Sequence, residues 1–327
     1  MSAAGGNAPA RRPARLVVVG GGVTGLAAAH RALERTPRGE LDVVVLEATA
    51  RVGGVVATQR RGGFVVEGGP DSFITEKPAA IELCRRLGLG DQLLPTNDRW
   101  RRTLVVRDGR LVALPEGFQL LGPTRILPFL LSPVLSLRGK LAAAKDLVLP
   151  RGGPPPGGDE SLAHFVRRRL GREVLERLAQ PLAGGIYTAD PETLSLASTM
   201  PRFLELERRH RSVILGLRAQ ARRAGATAAA SGARFGLFVT LQNGMESMIE
   251  GLAARLPQGA VRTNARVRAL RPAPAADAAW GVVLEGGEVL AADAVVLALP
   301  GPAAGALLEP LDPELGHALR AIAYASS

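Results

Sequence analysis

Cysteine is almost absent: Cys84 is the only one in 327 residues, so no intramolecular disulfide can form. The four histidines, His30, His164, His210 and His317, are scattered without ligand spacing, which argues against zinc, iron–sulfur and covalent haem sites. Lysine is nearly missing too, being confined to Lys77, Lys140 and Lys145, so the net charge of +11 is carried by arginine. Aromatic residues make up only 4% of the chain, and the basic residues lie among acidic ones without a reading motif. Nucleic acid is therefore excluded as a partner, and an anionic small molecule or membrane surface suits the charge better. No apolar run approaches the ~20 residues of a membrane span. The longest, residues 126–137 (ILPFLLSPVLSL), holds 12 residues and two prolines. Flanked by Arg125, Arg138 and Lys140, it reads either as a buried segment or as a wedge that dips into one leaflet. Residues 1–14 are small and basic, with no secretory apolar region, and read as a frayed tail on a cytoplasmic protein.

What is present suffices for about two domains. Apolar residues at 46% and charged residues at 22% are ordinary for a globular chain. Residues 16–19 (LVVV) form a buried-strand run, followed by Gly20-Gly21-Gly22-Val23-Thr24-Gly25, a helical pattern, and a second strand at 41–46 (LDVVVL). This is a βαβ opening. A further helix is expected over 78–87, a hairpin over 103–114 around Asp108-Gly109, and an exposed loop at 151–158 (RGGPPPGG). Val166, Leu170, Val174 and Leu178 recur every four residues. They predict one amphipathic helix whose arginines, Arg167, Arg168, Arg169, Arg172 and Arg177, form a solvated face, with a lipid-facing role as the alternative. A charged helix is expected over 203–217 and a mobile insertion over 219–232. Met245, Met248, Ile249, Leu252 and Leu256 mark another helix. Strands are expected at 265–270, 280–285 and 288–291, and a last buried parallel strand at 293–300 completes the first sheet.

Gly20-x-Gly22-x-x-Gly25 lies between strand and helix, where glycines let backbone amides and a helix N-terminus approach a pyrophosphate. Glu47, 22 residues past Gly25 at the end of the second strand, is placed to accept ribose hydroxyls. These features leave NAD and FAD open.

The run Glu47-Ala-Thr-Ala-Arg51-Val-Gly53-Gly54, followed by Gly68-Gly69-Pro70-Asp71-Ser72, resembles the FAD-dependent amine oxidase and protoporphyrinogen oxidase superfamily. Residues 63–78, 159–171, 181–216 and 322–326 narrow the likeness to protoporphyrinogen or coproporphyrinogen oxidases. The resemblance implies an α/β fold. Its FAD-binding Rossmann-type domain has a parallel sheet with a β-hairpin crossover, and it is joined by an α+β substrate domain and an inserted helical, membrane-associated domain. It implies FAD as cofactor and oxygen-dependent, six-electron oxidation of a porphyrinogen to a porphyrin in haem biosynthesis, with release of hydrogen peroxide. Gly20, Gly22, Gly25, Glu47, Arg51, Gly53, Gly54, Gly69 and Pro70 match cofactor positions, and Val267 matches the strand position whose backbone meets adenine. For substrate, Arg102 matches an arginine that pairs with a propionate, with Arg101 as the competing assignment, and Gly185 matches a turn whose backbone faces the macrocycle.

No general base, nucleophile or metal cluster stands out. The pairs Asp71 with Ser72 and Ser161 with His164 read as local turn and cap residues. A flavin takes the hydride itself, so none of these residues is needed as a catalyst. The expected partners are the porphyrinogen, molecular oxygen, the inner face of the cytoplasmic membrane and a second copy of the chain. The alternatives are an oxidase of amines or polyenes, or a non-catalytic FAD- or porphyrin-binding remnant.

The implied domains are a tail at 1–14, the FAD-binding domain at 15–96 and 257–300, a substrate-domain hairpin at 97–115 and a helical insertion at 116–228. Further substrate-domain segments are implied at 229–256 and 301–327. Strands and a flavin-contacting turn that the family carries further on do not appear, so the 327-residue chain reads as a fragment, expected to retain FAD poorly and to have little activity.

Overall fold

A computed structural model describes residues 12–75, 77–97, 103–152, 158–223, 238–273 and 278–324. They fall into two compact units, one built from the chain up to Leu94 and again from Val239, the other from Pro95–Phe238.

The first unit is layered around a parallel sheet. Strand β1 (Ala14–Val19), helix α1 (Val23–Arg35) and strand β2 (Leu41–Leu46) form the βαβ opening. Strands β3 (Thr58–Arg61) and β4 (Phe64–Glu67) make an antiparallel hairpin, and α2 (Ala79–Arg86) follows. The returning chain supplies α3 (Glu246–Ala253), β5 (Val261–Arg262), β6 (Val267–Pro272), β7 (Trp280–Leu284), β8 (Val289–Ala292) and β9 (Ala294–Leu297). The parallel sheet has the order β5-β2-β1-β9, with Val17 paired to both Val44 and Val295. Alternation along β1 decides the layers. Val18 packs with Leu26 and Ala29 of α1 and with Met248, Ile249 and Leu252 of α3. Val17 and Val19 face the other way, onto Leu270, Val282 and Leu284 of the antiparallel sheet β6-β7-β8. Strand β1 is thus covered on both faces, which is why it reads as an unbroken valine run.

The crossover between β5 and β9 is this three-stranded sheet rather than a hairpin, because β6 pairs with β7 in addition to the β7–β8 turn. Two segments read from the sequence as substrate-domain pieces also lie in the first unit. Helix α3 is held there by Met248, Ile249 and Leu252 in the core. Beyond residue 300, α4 (Gly301–Leu308) and α5 (Pro313–Arg320) pack closely through Gly305 and Gly316, and Leu307 joins the Val17 core. At the other end, β1 begins inside the expected tail, where Arg12 pairs with Asp293 at 2.8 Å.

The second unit is mainly helical. Its core gathers Phe118, Phe165 and Phe203 with Leu162, Leu170, Leu178 and Leu196. The expected hairpin forms as Leu104–Arg107 and Arg110–Ala113, turning through Asp108 and Gly109, both with positive φ. The single helix expected from the 166–178 repeat is two. Gly171, at φ 89°, ends Leu162–Leu170, and the chain restarts at Arg172. Residues 175–179 then widen into a π turn just before Pro181, whose ring would clash with the Arg177 carbonyl in a regular α-helix. The helix expected over 203–217 is likewise split, into Pro201–His210 and Val213–Arg223, at the left-handed Arg211. The latter helix runs on through residues 219–223 of the expected insertion, whose remainder lies outside the described residues, as does most of the 151–158 loop.

The arginines of the basic stripe do not all face solvent. Arg169 is 1% exposed, three residues after Val166 and seven after Leu162, within the apolar face of its helix. Its Nε donates to Asp146 Oδ1 at 2.7 Å, while the second Asp146 oxygen accepts from Ser212 Oγ at 2.6 Å and Ile214 N at 2.9 Å. Asp146 thereby caps the Val213–Arg223 helix from a distance and explains the break before it. Arg168 bridges Glu160 and Glu207, at 2.9 and 2.7 Å. Burial depresses the Arg168 guanidinium, but its hydrogen bonds to Glu207 and Glu160 outweigh that and push it up.

Removing one partner of a buried pair strands the other charge. Arg169→Met is expected to destabilise the second unit by about 3–5 kcal/mol, whereas Arg172→Met, at an exposed i,i+4 pair, leaves the unfolding midpoint essentially unchanged. Thermal unfolding of the two variants beside the wild type checks the contrast.

Candidate functional site

The carboxyl ends of β1 and β2 bring together most of the residues singled out in the sequence. Gly20 leaves β1 at φ 109°, its N–H donating to Leu46 O at 2.8 Å, and a Cβ there would sit 2.4 Å from Ala298 O after β9. At Gly25 a Cβ would lie 1.9 Å from Gly20 O, so only glycine allows α1 to start this close to the strand. Gly22 is the N-cap of α1 and supplies no side-chain cap, which leaves the amides of the first turn open to an anion. Gly53 and Gly54 approach from the loop after β2. Gly53 N donates to Gly21 O at 2.8 Å, and Gly22 and Gly53 form a parallel bridge. No side chain stands between Gly22 and Gly54, whose Cβ positions would find only each other's Cα at 4.0 and 3.4 Å.

Glu47 closes this arrangement. It is 9% exposed, with Oε2 accepting from Gly21 N at 2.9 Å and Oε1 accepting from Thr49 N and Thr49 Oγ1, both at 2.8 Å. Burial raises its carboxyl, but those hydrogen bonds together outweigh burial and hold it below the usual carboxylate value, so it is ionised at neutral pH. Arg51 braces the adjoining loop, donating to Val52 O at 3.0 Å, Gly54 O at 2.6 Å and Val56 O at 2.9 Å. Gly69 belongs to the same neighbourhood, since a Cβ there would be 1.9 Å from Val55 O, and Pro70 follows it at the surface. Val267 starts β6 where a bulge interrupts the ladder, two residues after Ala265, whose N–H donates to Glu47 O at 2.8 Å.

Other residues fall elsewhere. Arg101 and Arg102 lie outside the described residues. Gly185 is in the second unit, inside the helix Gln180–Tyr187 rather than in a turn, because the chain stays helical from the π turn to the left-handed Thr188. A Cβ there would meet nothing within 4 Å. Ser161 caps its helix through His164 N at 3.1 Å while His164 Nδ1 lies 2.6 Å from Glu160, and Ser72 donates to Asp71 at 2.7 Å, so neither pair forms an isolated acid–base couple.

Sequence reasoning missed three contributors. Gly21 stands at a position the motif leaves free, and its signal was the extra glycine: a Cβ would press on Glu47 Cβ at 2.8 Å. Thr49 is the hydroxyl two residues past the acid. Thr58 fastens the β3–β4 hairpin to the start of α3, donating from Oγ1 to Glu67 Oε2 at 2.7 Å and accepting there from Glu246 N at 3.0 Å. Nothing in spacing announces that tie.

Parallel strands, a glycine loop opening a helix and an acid at the end of the second strand define a dinucleotide-binding domain. The chain belongs to the flavin-containing amine oxidoreductase family, whose sequence profile matches residues 23–327. It is 36% identical over 305 residues to a coproporphyrinogen III oxidase of Bacillus subtilis, a match spanning 92% of this chain and 63% of that protein. It is 38% identical to the coproporphyrinogen III oxidase of Propionibacterium freudenreichii, over 95% of this chain and 62% of the relative. A crystal structure of an Exiguobacterium sp. 255-15 protein assigned as a protoporphyrinogen oxidase superposes with a TM-score of 0.77 at 32% identity, covering 92% of this chain and 63% of that one. The chain thus spans about three fifths of the length of these relatives.

The cofactor of the family is FAD, and the residues present fit it. The bare backbone between Gly22 and Gly54 and the uncapped start of α1 suit a pyrophosphate, and ionised Glu47 suits ribose hydroxyls. Gly21→Ala tests the fit. The added methyl against Glu47 costs about 1–3 kcal/mol of overpacking, and FAD affinity is expected to fall about tenfold or more by calorimetric titration.

Proposed function

We propose that the protein is an oxygen-dependent FAD oxidase that converts a porphyrinogen to the porphyrin in haem biosynthesis, releasing hydrogen peroxide. The observation that carries this reading is the likeness, at 36–38% identity over more than nine tenths of the chain, to enzymes named coproporphyrinogen III oxidase. Those names favour coproporphyrinogen III over protoporphyrinogen IX as substrate.

Bound FAD supplies the electron acceptor for hydride removal. The chain's own residues bind and orient. Gly22 and Gly25 let α1 point its amides at the pyrophosphate, with Gly20 making the turn before them. Glu47 takes the adenosine ribose, and the Val267 backbone meets the adenine. Arg51 keeps Gly53 and Gly54 in place, and Gly69 with Pro70 lies toward the flavin ring. On the substrate side, Arg102, or Arg101 in the competing assignment, would pair with a propionate, and Gly185 would present bare backbone to the macrocycle. Holding the meso carbon within reach of the flavin while excluding water is the protein's share of catalysis. Dehydrogenation on this scheme asks for no metal and no side-chain nucleophile.

Gly185→Ala separates this role from a structural one. The methyl has open space, and alanine favours a helix, so stability should hold or rise. Porphyrin fluorescence with coproporphyrinogen III is nonetheless expected to appear about tenfold more slowly or worse, through misplacement of the ring. Unchanged turnover would remove Gly185 from the substrate surface, and bound FAD that stays oxidised under anaerobic coproporphyrinogen III or protoporphyrinogen IX would overturn the function.

We also propose peripheral docking on the inner face of the cytoplasmic membrane. Among the described residues no helix is long and apolar enough to cross a membrane. Phe129, Val134 and Leu135 of the apolar run are buried, but Leu127, Leu131, Leu137 and Leu141 are each more than two-thirds exposed, near exposed Arg125 and Arg138. Leucines flanked by arginine suit an anionic leaflet. Co-sedimentation with phosphatidylglycerol vesicles should fall several-fold in Leu127→Ser/Leu131→Ser, and equal sedimentation would argue for another role for this surface.

A further inference from the structure

We infer that Thr49 is the positioning residue of the cofactor's ribose site, setting the Glu47 carboxylate and coupling it to the Gly53–Gly54 loop. The inference rests on the reading that Glu47 receives the ribose hydroxyls.

A carboxylate offers about four acceptor positions, and their use here is specific. Gly21 N occupies one on Oε2, and Thr49 occupies two on Oε1 through its amide and its hydroxyl. Three donors at 2.8–2.9 Å thus fix both oxygens, and the Ala48 amide adds to their pull on the carboxylate. Two of those donors belong to the backbone and survive any substitution that preserves the fold. The third, the Thr49 hydroxyl, is the only side-chain donor to this carboxylate among the described residues, so orientation depends on it in a way mutation can reach.

The same hydroxyl lies 2.9 Å from Arg51 O. With one proton it donates to one acceptor at a time, and both sit within range. Donation therefore alternates between the Glu47 carboxylate and the Arg51 carbonyl, which links the two through one hydroxyl. Arg51 is the residue whose guanidinium gathers the carbonyls of Val52, Gly54 and Val56. Through Thr49 the ribose acid and the loop beneath the pyrophosphate thus share one hydrogen-bonded strap, while Asn264 N, donating to Thr49 O at 2.9 Å, anchors that strap to the chain after β5. Thr49 itself is exposed, so it contributes little to the core, and its substitution leaves packing intact.

The experiment titrates wild-type protein, Thr49→Val, Thr49→Ser, Glu47→Gln and the Glu47→Gln/Thr49→Val double variant with FAD by calorimetry, with thermal unfolding as the control on folding. Valine keeps the β-branched shape and the amide but loses the hydroxyl. Thr49→Val is expected to weaken FAD about tenfold or more, the weight of one hydrogen bond to a charged group, with an unfolding midpoint like that of the wild type. Thr49→Ser is expected within about threefold of the wild type. In the Glu47→Gln background the valine change should add little, since it acts through the carboxylate. Equal affinity of Thr49→Val and wild type would overturn the inference, as would an unrescued serine variant or a full valine penalty without the Glu47 charge. A wild type that binds no FAD would instead remove the cofactor reading and the inference with it.

Discussion

The architecture of the first unit depends on how closely backbone can come to backbone where the parallel strands end. Gly20 passes Ala298, Gly25 passes Gly20 and Gly21 passes the Glu47 side chain, each at separations that a Cβ would reduce below 3 Å. Those approaches place α1 against the sheet and leave a side-chain-free floor at Gly22 and Gly54. Substituting any one of them pushes apart elements whose cores are otherwise filled, because β1 is packed on both faces. The functional surface is thus a consequence of the packing rather than an addition to it.

Charge on the surface of the dinucleotide site follows the same economy of parts. The one acid at the strand end is held ionised by amides and a hydroxyl, not by a basic side chain, so it stays available to neutral hydroxyl donors. Arg51, the nearby cation, is committed to three carbonyls of its own loop. It need not meet the cofactor to matter for it. In the second unit, cation and anion are instead buried together, and the Asp146–Arg169 pair orders helix ends by meeting their unpaired groups.

Much of the first unit was legible in the sequence because its signals are local. A valine run between polar residues reads as a two-faced strand, and three glycines at fixed offsets before an apolar period read as a turn entering a helix. Glu47 is legible for the same reason, whereas the Gly53–Gly54 pair is legible only through the family resemblance of the run that follows Glu47. The burial of Arg169 is not legible, although its offset of seven from Leu162 places it in the apolar face, because a charged residue type signals exposure and its partner Asp146 lies 23 residues away. The break at Gly171 was masked by an apolar spacing of four that continues across it. The place of α3 and of α4 and α5 in the first unit depended on contacts with β1 and the crossover sheet, far apart in the chain and invisible to periodicity. Thr58, which ties β3 to α3 across 188 residues, had no local signal at all.

The glycine cradle and Glu47 of the first unit suit an adenine dinucleotide carrying a flavin. Competitive titration addresses that fit most directly, with FAD and ADP added to the protein and NADH run in parallel. Saturable uptake of one FAD per chain, displaced by ADP and lost with Glu47 and Gly21 substituted together, is the predicted result. Binding of NADH with no uptake of FAD would contradict it.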